Sequence, residues 1–148
     1  MVEIAIKYEG KLRCKATHGP SEAQLITDAP KDNMGEGASF SPTDLVATAL
    51  GTCMMTIMAI SAERMSVDLT GAEVKVTKEM VADPLRRIGK LAVEIHVPAA
   101  TTEEQRQKLQ NAAMTCPVHR SLSPQTEIPV SFAWGKEAPV LLKEKAHH

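Results

Sequence analysis

An α+β fold, with antiparallel sheets packed around a long buried central helix, is predicted by three features of the sequence. Apolar and polar residues alternate near both ends of the chain, and the middle holds an uncharged run, Leu45 to Ala62, too long for a strand. The order of elements, strands, long helix, strands, helix, strand, lacks the regular strand–helix repetition of a parallel sheet.

The first strand is read from Val2, Ile4, Ile6 and Tyr8, which alternate with Glu3, Ala5 and Lys7. Such a start lacks the uninterrupted apolar run of a secretory leader, so a cytoplasmic protein is expected. Glu9-Gly10-Lys11 supplies a turn, and Leu12, Cys14 and Ala16 form the returning apolar face. A third strand is expected over Ala23 to Thr27. From Asp28 to Phe40, Pro30, Asn33, Gly35 and Gly37 read as a loop.

Ser41-Pro42-Thr43-Asp44 then starts a helix, with an N-cap, a proline at the first helical position and an acid three residues after the cap. From Leu45 to Ile60 apolar residues lie on every side. A helix of that kind is buried all round or crosses a membrane. Gly51, Ser61 and the threonines dilute the segment and interfacial aromatics are missing, which favours a central helix over a span. One small chain supplies too few strands to cover it, so a symmetric partner is expected.

Strands follow over Ala72 to Met80 and Arg87 to Val97, separated by a turn at Asp83-Pro84. Thr101-Thr102-Glu103-Glu104 opens an amphipathic helix with Leu109, Ala112, Ala113 and Met114 on its apolar side. Thr115-Cys116-Pro117 interrupts it, one more turn fits over Val118 to Leu122, and a last strand runs from Ile128 to Trp134. Residues 1–136 are thus expected to form a single domain and residues 137–148 a tail. His147 and His148 are excluded from any metal site as terminal additions.

Composition narrows the function. In 148 residues, 17 Lys+Arg oppose 18 Asp+Glu, and Phe 2, Tyr 1 and Trp 1 contrast with Met 8 and Cys 3. Near-neutrality with so few aromatics argues against nucleic acid, whose binding relies on cations and stacking platforms. Three cysteines with no C-x-x-C pair exclude a four-thiolate zinc site and a disulfide-stapled scaffold. Two cysteines remain chemically interesting. Cys53 lies in mid-helix, where the helix dipole gives little help, and is either a small core residue or a nucleophile needing a positive neighbour. Cys116, before Pro117, is either a helix N-cap with a readily attacked, acidified sulfur or a plain loop cysteine. Cys14 reads as a buried strand residue.

The segments Ser41-Pro42-Thr43-Asp44-Leu45-Val46-Ala47-Thr48-Ala49-Leu50-Gly51-Thr52-Cys53 and Cys116-Pro117-Val118-His119-Arg120-Ser121-Leu122 resemble the OsmC/Ohr family of thiol-dependent hydroperoxide reductases. Gly35-Glu36-Gly37 and the spacing of the two cysteines agree with it. The resemblance implies an OsmC-like fold and an intertwined homodimer with each active site at the subunit interface. Cys53 would be the peroxidatic nucleophile and Cys116 its disulfide partner, with an organic hydroperoxide as substrate, an external dithiol as reductant, and no metal or other cofactor. It also implies an early-strand arginine, here Arg13, near the reactive sulfur, held by a glutamate near the start of the central helix. Thr43 stands where that acid is usual, with Asp44 next to it, and Glu36 is the expected substitute. Arg120 with Asp44 is the competing pair. Met54 and Met58, with His119, would line the substrate pocket, although methionines at helical spacing equally read as packing. A redox-sensing or ligand-binding dimer with little turnover, and a purely structural role for both cysteines, are the other readings of the same residues.

Overall fold

The computed structural model describes residues 1–142, so His147 and His148 lie outside the described residues. The chain divides into two compact units, Met1–Val46 and the remainder from Ala47. The first unit is an antiparallel sheet of β1 (Ile4–Gly10), β2 (Arg13–His18) and β3 (Gln24–Asp28), in the order β1-β2-β3. Pairing of Ile4 with His18, Ile6 with Ala16 and Tyr8 with Cys14 puts Ile4, Ile6, Tyr8 and Cys14 on one face, with Leu25 beside Ala16 and Thr27 beside Cys14. Among the described residues, Ile4, Ile6 and Tyr8 are all exposed, which is why this unit has so little core of its own.

The first turn falls later than expected. Lys11 and Leu12 both adopt positive φ, 53° and 62°, and a bulge separates the pairings of Tyr8 and Gly10. Leu12 is therefore a turn residue, and β2 begins at Arg13. The following loop contains one short 3-10 turn, Lys31–Asn33, and closes on itself through Gly35 N–H to Pro30 O (3.0 Å) and Gly37 N–H to Ala29 O (3.2 Å). A Cβ on Gly35 would sit within 1.7 Å of Ala29 O, so no side chain fits there.

Helix α1 (Pro42–Arg64) starts as its sequence dictates: Ser41 Oγ accepts from Asp44 N–H at 3.1 Å, and Asp44 Oδ2 accepts from Ser41 N–H at 2.9 Å. The helix is long and apolar enough to cross a membrane by length and composition. Within the chain it is buried on one face only, along Ala47, Leu50, Gly51, Met54, Met58 and Ala62, rather than all round. The opposite face exposes Ala49, Thr52, Thr56 and Ile60. Thr52 and Thr56 donate to the carbonyls of Thr48 and Thr52, each at 2.8 Å, so their hydroxyls are satisfied and the face is effectively apolar.

The second sheet has the order β4-β5-β6-β7, from β4 (Glu73–Val81), β5 (Arg87–Val97), β6 (Val130–Trp134) and β7 (Val140–Leu141). β7 corrects the sequence reading, in which residues 137–148 were all tail: Val140 and Leu141 pair with Phe132 and Ser131. β5 and β6 run parallel, which requires a crossover, and α2 (Glu103–Ala113) with α3 (Pro117–Ser121) provides it. Alternate β5 residues Leu91, Val93, Ile95 and Val97 are buried, as are Val130, Phe132 and Trp134 of β6. Phe132 stacks on Trp134 with centroids 5.7 Å apart, and the Arg106 guanidinium of α2 lies 5.6 Å from the Trp134 ring. Helix α1 approaches β4 at Gly51, where a Cβ would lie 2.9 Å from Val76 Cγ2.

Candidate active site

Two reduced cysteines meet within the second unit. Cys53, on α1, is partly exposed, and Cys116 is completely buried. Their side chains interact directly. Burial raises the Cys116 thiol above the ordinary cysteine range, and the hydrogen bond with Cys53 adds to the shift. Cys116 is the N-cap of α3 as its Cys-Pro sequence suggests, its Sγ accepting from His119 N–H at 3.4 Å. That bond favours the thiolate, but desolvation outweighs it, so the expected acidified sulfur at Cys116 is corrected to a thiol held protonated.

The local reason for the meeting is the crossover. α2 ends at Ala113, and Pro117 at the first position of α3 restarts the helix with Cys116 as its cap. On α1, Cys53 flanks the buried stripe, and its neighbours one turn away, Ala49, Leu50, Thr56 and Ile57, are all uncharged. His119 and Arg120 border a cavity of about 600 Å³ with Met114, Leu122 and Ile128, and Met55 borders another of about 520 Å³ with Glu63 and Asp68. Met54 and Met58 line neither cavity; they are fully buried beneath the helix and serve as packing.

Of the charged candidates read from the sequence, Arg13, Glu36 and Asp44 lie in the first unit. Arg13 Nη2 donates to Glu36 Oε2 at 2.7 Å, and Arg13 Nε faces Asp28 Oδ1 at 3.7 Å. The loop with Gly35 at its tight point presents Glu36 to the arginine. Asp44, the other candidate acid, spends Oδ2 on the α1 cap. Asp28 did not stand out in the sequence, because it opens a Pro- and Gly-rich stretch and reads as a loop residue. Its one available signal was its position opposite Arg13 once β2 and β3 are paired. Among the described residues, no group of three or more His, Cys, Asp or Glu side chains is placed to hold a metal ion.

The family model described as OsmC-like protein matches residues 35–131, a stretch that contains both cysteines. The chain belongs to the OsmC-like protein family. Among solved structures, a Psychrobacter arcticus protein, to which an osmotic-stress and detoxification role is attributed by name, is 41% identical over 89% of this chain and 96% of its own, with a TM-score of 0.84. The organic hydroperoxide resistance protein OsmC of Legionella pneumophila is 16% identical over 90% and 96%, with a TM-score of 0.73. A Vibrio cholerae protein assigned to organic hydroperoxide resistance, with captopril in one active site, is 20% identical over 96% and 94%, with a TM-score of 0.70. These last two share the OsmC-like fold. Comparison with curated protein sequences gives no match.

Proposed function

We propose that this OsmC-like protein is a thiol-dependent peroxidase that reduces organic hydroperoxides to alcohols. The observation that carries the reading is the pair of interacting free thiols, one reachable from solvent and one buried. The Cys53 thiolate attacks the distal oxygen of the hydroperoxide, the O–O bond breaks, and the alkoxide leaves as the alcohol after taking a proton. Cys53 is then a sulfenic acid. Cys116 condenses with it, losing water and forming a disulfide, and an external dithiol reduces that disulfide to two thiols. The uncharged surroundings of Cys53 favour an organic over a small polar peroxide. Arg13, held by Glu36, is proposed as the cation that supports the thiolate, with Cys53 and Cys116 as the reacting sulfurs.

A homodimer is part of the same proposal. The exposed side of α1 is apolar with satisfied hydroxyls, and the face of β1 carries Ile4, Ile6 and Tyr8, so both surfaces suit burial against a second copy. Sedimentation is expected to show a dimer at micromolar concentration.

A second reading, a redox sensor of low turnover, is favoured by one observation: Arg13 faces two carboxylates, which oppose its charge. Mass spectrometry after one equivalent of cumene hydroperoxide is expected to show a loss of ~2 Da linking Cys53 to Cys116. Repeated hydroperoxide consumption with dithiothreitol separates enzyme from sensor. Cys53→Ser abolishes turnover, and Cys116→Ser allows one oxidation followed by over-oxidation. Steady-state activity retained in Cys53→Ser would refute the proposal.

A further inference from the structure

Asp28 is the one charged side chain buried among the described residues, with 1% exposure. An ionised carboxylate removed from water costs several kcal/mol unless partners replace its hydration. Its two oxygens are engaged differently, and Oδ1, like Arg13 Nε, is buried without a hydrogen-bond partner. Oδ2 accepts from Ala38 N–H at 2.9 Å, and Oδ1 faces Arg13 Nε at 3.7 Å, too long for a hydrogen bond but close for an ion pair. Arg13 and Asp28 are also cross-strand neighbours in the β2–β3 register, so the sheet itself holds them together. The backbone N–H of Asp28 donates to Phe40 O at 3.1 Å, tying the same residue to the far end of the loop.

The two acids on Arg13 differ in kind. Glu36 is 79% exposed, and an exposed pair of that sort contributes about 0–1 kcal/mol and exchanges readily with water. Asp28 cannot exchange its partner for solvent. We propose that Asp28 is a positioning residue: it fixes the Nε edge of Arg13 whether or not Glu36 is engaged, and through Ala38 it fixes the loop that presents Glu36. Its catalytic consequence rests on the proposed role of Arg13 beside the Cys53 thiolate.

The test uses the full chain and four variants: Asp28→Asn, Glu36→Gln, Arg13→Gln and the Arg13→Gln/Asp28→Asn double variant. The first readout is NMR of the Arg13 Nε–H group, through its hydrogen exchange and its heteronuclear NOE. Exchange rises and the NOE falls in Asp28→Asn, whereas in Glu36→Gln the group stays ordered. The second readout is the pH profile of kcat/KM for cumene hydroperoxide. Asp28→Asn lowers kcat/KM roughly ten- to a hundredfold, as displacement of a positioned group does, and moves the acid limb to higher pH. Removing a negative charge with no loss of position would move that limb the other way. In the Arg13→Gln background, Asp28→Asn has no further effect on kcat/KM.

Arg13 order unchanged in Asp28→Asn, or lost as fully in Glu36→Gln, would overturn the assignment to Asp28. If Asp28→Asn does not fold, the Glu36→Gln spectrum alone decides. Wild-type kcat/KM in Arg13→Gln would instead remove Arg13 from the mechanism, and the NMR result would still decide which acid orders its side chain.

Discussion

Gly51→Ala tests how tightly α1 must lie on β4. The added Cβ would sit 2.9 Å from Val76 Cγ2 and 3.2 Å from Val74 Cγ1. Carbon atoms prefer about 3.5–4.0 Å, so relief needs roughly 0.6–1 Å of separation at the first contact. Valine is stiff at χ1, and both methyls belong to a strand paired along β5, so the helix has to move or the valines must leave their rotamers. Overpacking of this kind costs about 1–3 kcal/mol. Replacing a mid-helix glycine by alanine returns about 1 kcal/mol in helix propensity. The net expectation is a loss of roughly 0–2 kcal/mol, where an uncrowded site would gain about 1.

A double-mutant cycle with Val76→Ala, read by urea unfolding under reducing conditions, isolates the contact. Val76→Ala removes the methyl that meets the new Cβ, so the pair is expected to couple favourably by about 0.5–3 kcal/mol. Since Gly51 is two residues from Cys53, the displaced helix also slows disulfide formation with Cys116, measured by quenching after one equivalent of hydroperoxide. Gly51→Ala that is about 1 kcal/mol more stable than the parent, with no coupling to Val76, would refute the close-packing argument.

Three further outcomes are expected. The raised Cys116 thiol makes stability depend on pH: its contribution is fully present below the unfolded thiol value, about 8.5, and is lost as pH rises through the folded value. Reduced protein therefore loses up to about 1.4 kcal/mol per pH unit relative to Cys116→Ala in alkaline urea titrations, and parallel curves would refute this. Gly35→Ala cannot place its Cβ within 1.7 Å of Ala29 O, so the loop is expected to open and the Arg13 Nε–H NMR signal to broaden or move; an unchanged signal would show that Gly35 does not set the loop. Arg106→Ala removes the guanidinium over Trp134, both bonds to Glu137 and the bond to Thr101 Oγ1, and should cost about 1–3 kcal/mol in urea unfolding. A change below about 0.5 kcal/mol, the ordinary range for surface substitutions, would contradict it.

Local patterns made most of the fold legible. The Ser41 cap, the alternation in β5 and the Cys-Pro start of α3 are each decided by residues close in sequence, and each appears where those residues place it. What depends on long-range packing was not legible. Apolar residues surround α1, so no periodicity distinguishes the face of Met54 and Met58 from that of Thr52 and Thr56, and only the sheet decides. The turn at Lys11 and Leu12 carries positive φ without glycine at either position, and Asp28 looks like any acid ahead of a proline. β7 is two residues long and exists by pairing with β6, not by its own pattern. Of the candidate site, sequence marked both sulfurs and the Arg13–Glu36 pair, but the contact between sulfurs 63 residues apart is a product of the crossover through α2 and α3.

The asymmetry between those sulfurs gives the proposed reaction its order. Hydroperoxides react with thiolates, so a thiol held protonated by burial is a poor first target, and Cys116 has no exposed surface through which a peroxide could reach it. Cys53 is partly exposed, so in the proposed reaction it is the sulfur oxidised first. Once it is a sulfenic acid, the thiol that interacts with it is Cys116, and the N–H of His119 stabilises the negative charge that Cys116 develops as it attacks. Burial then acts in favour of the cycle, because the second sulfur is shielded from free oxidant but open to its neighbour. Exchanging the two environments would reverse the order, so Cys53 and Cys116 are not interchangeable even though either can end in the same disulfide.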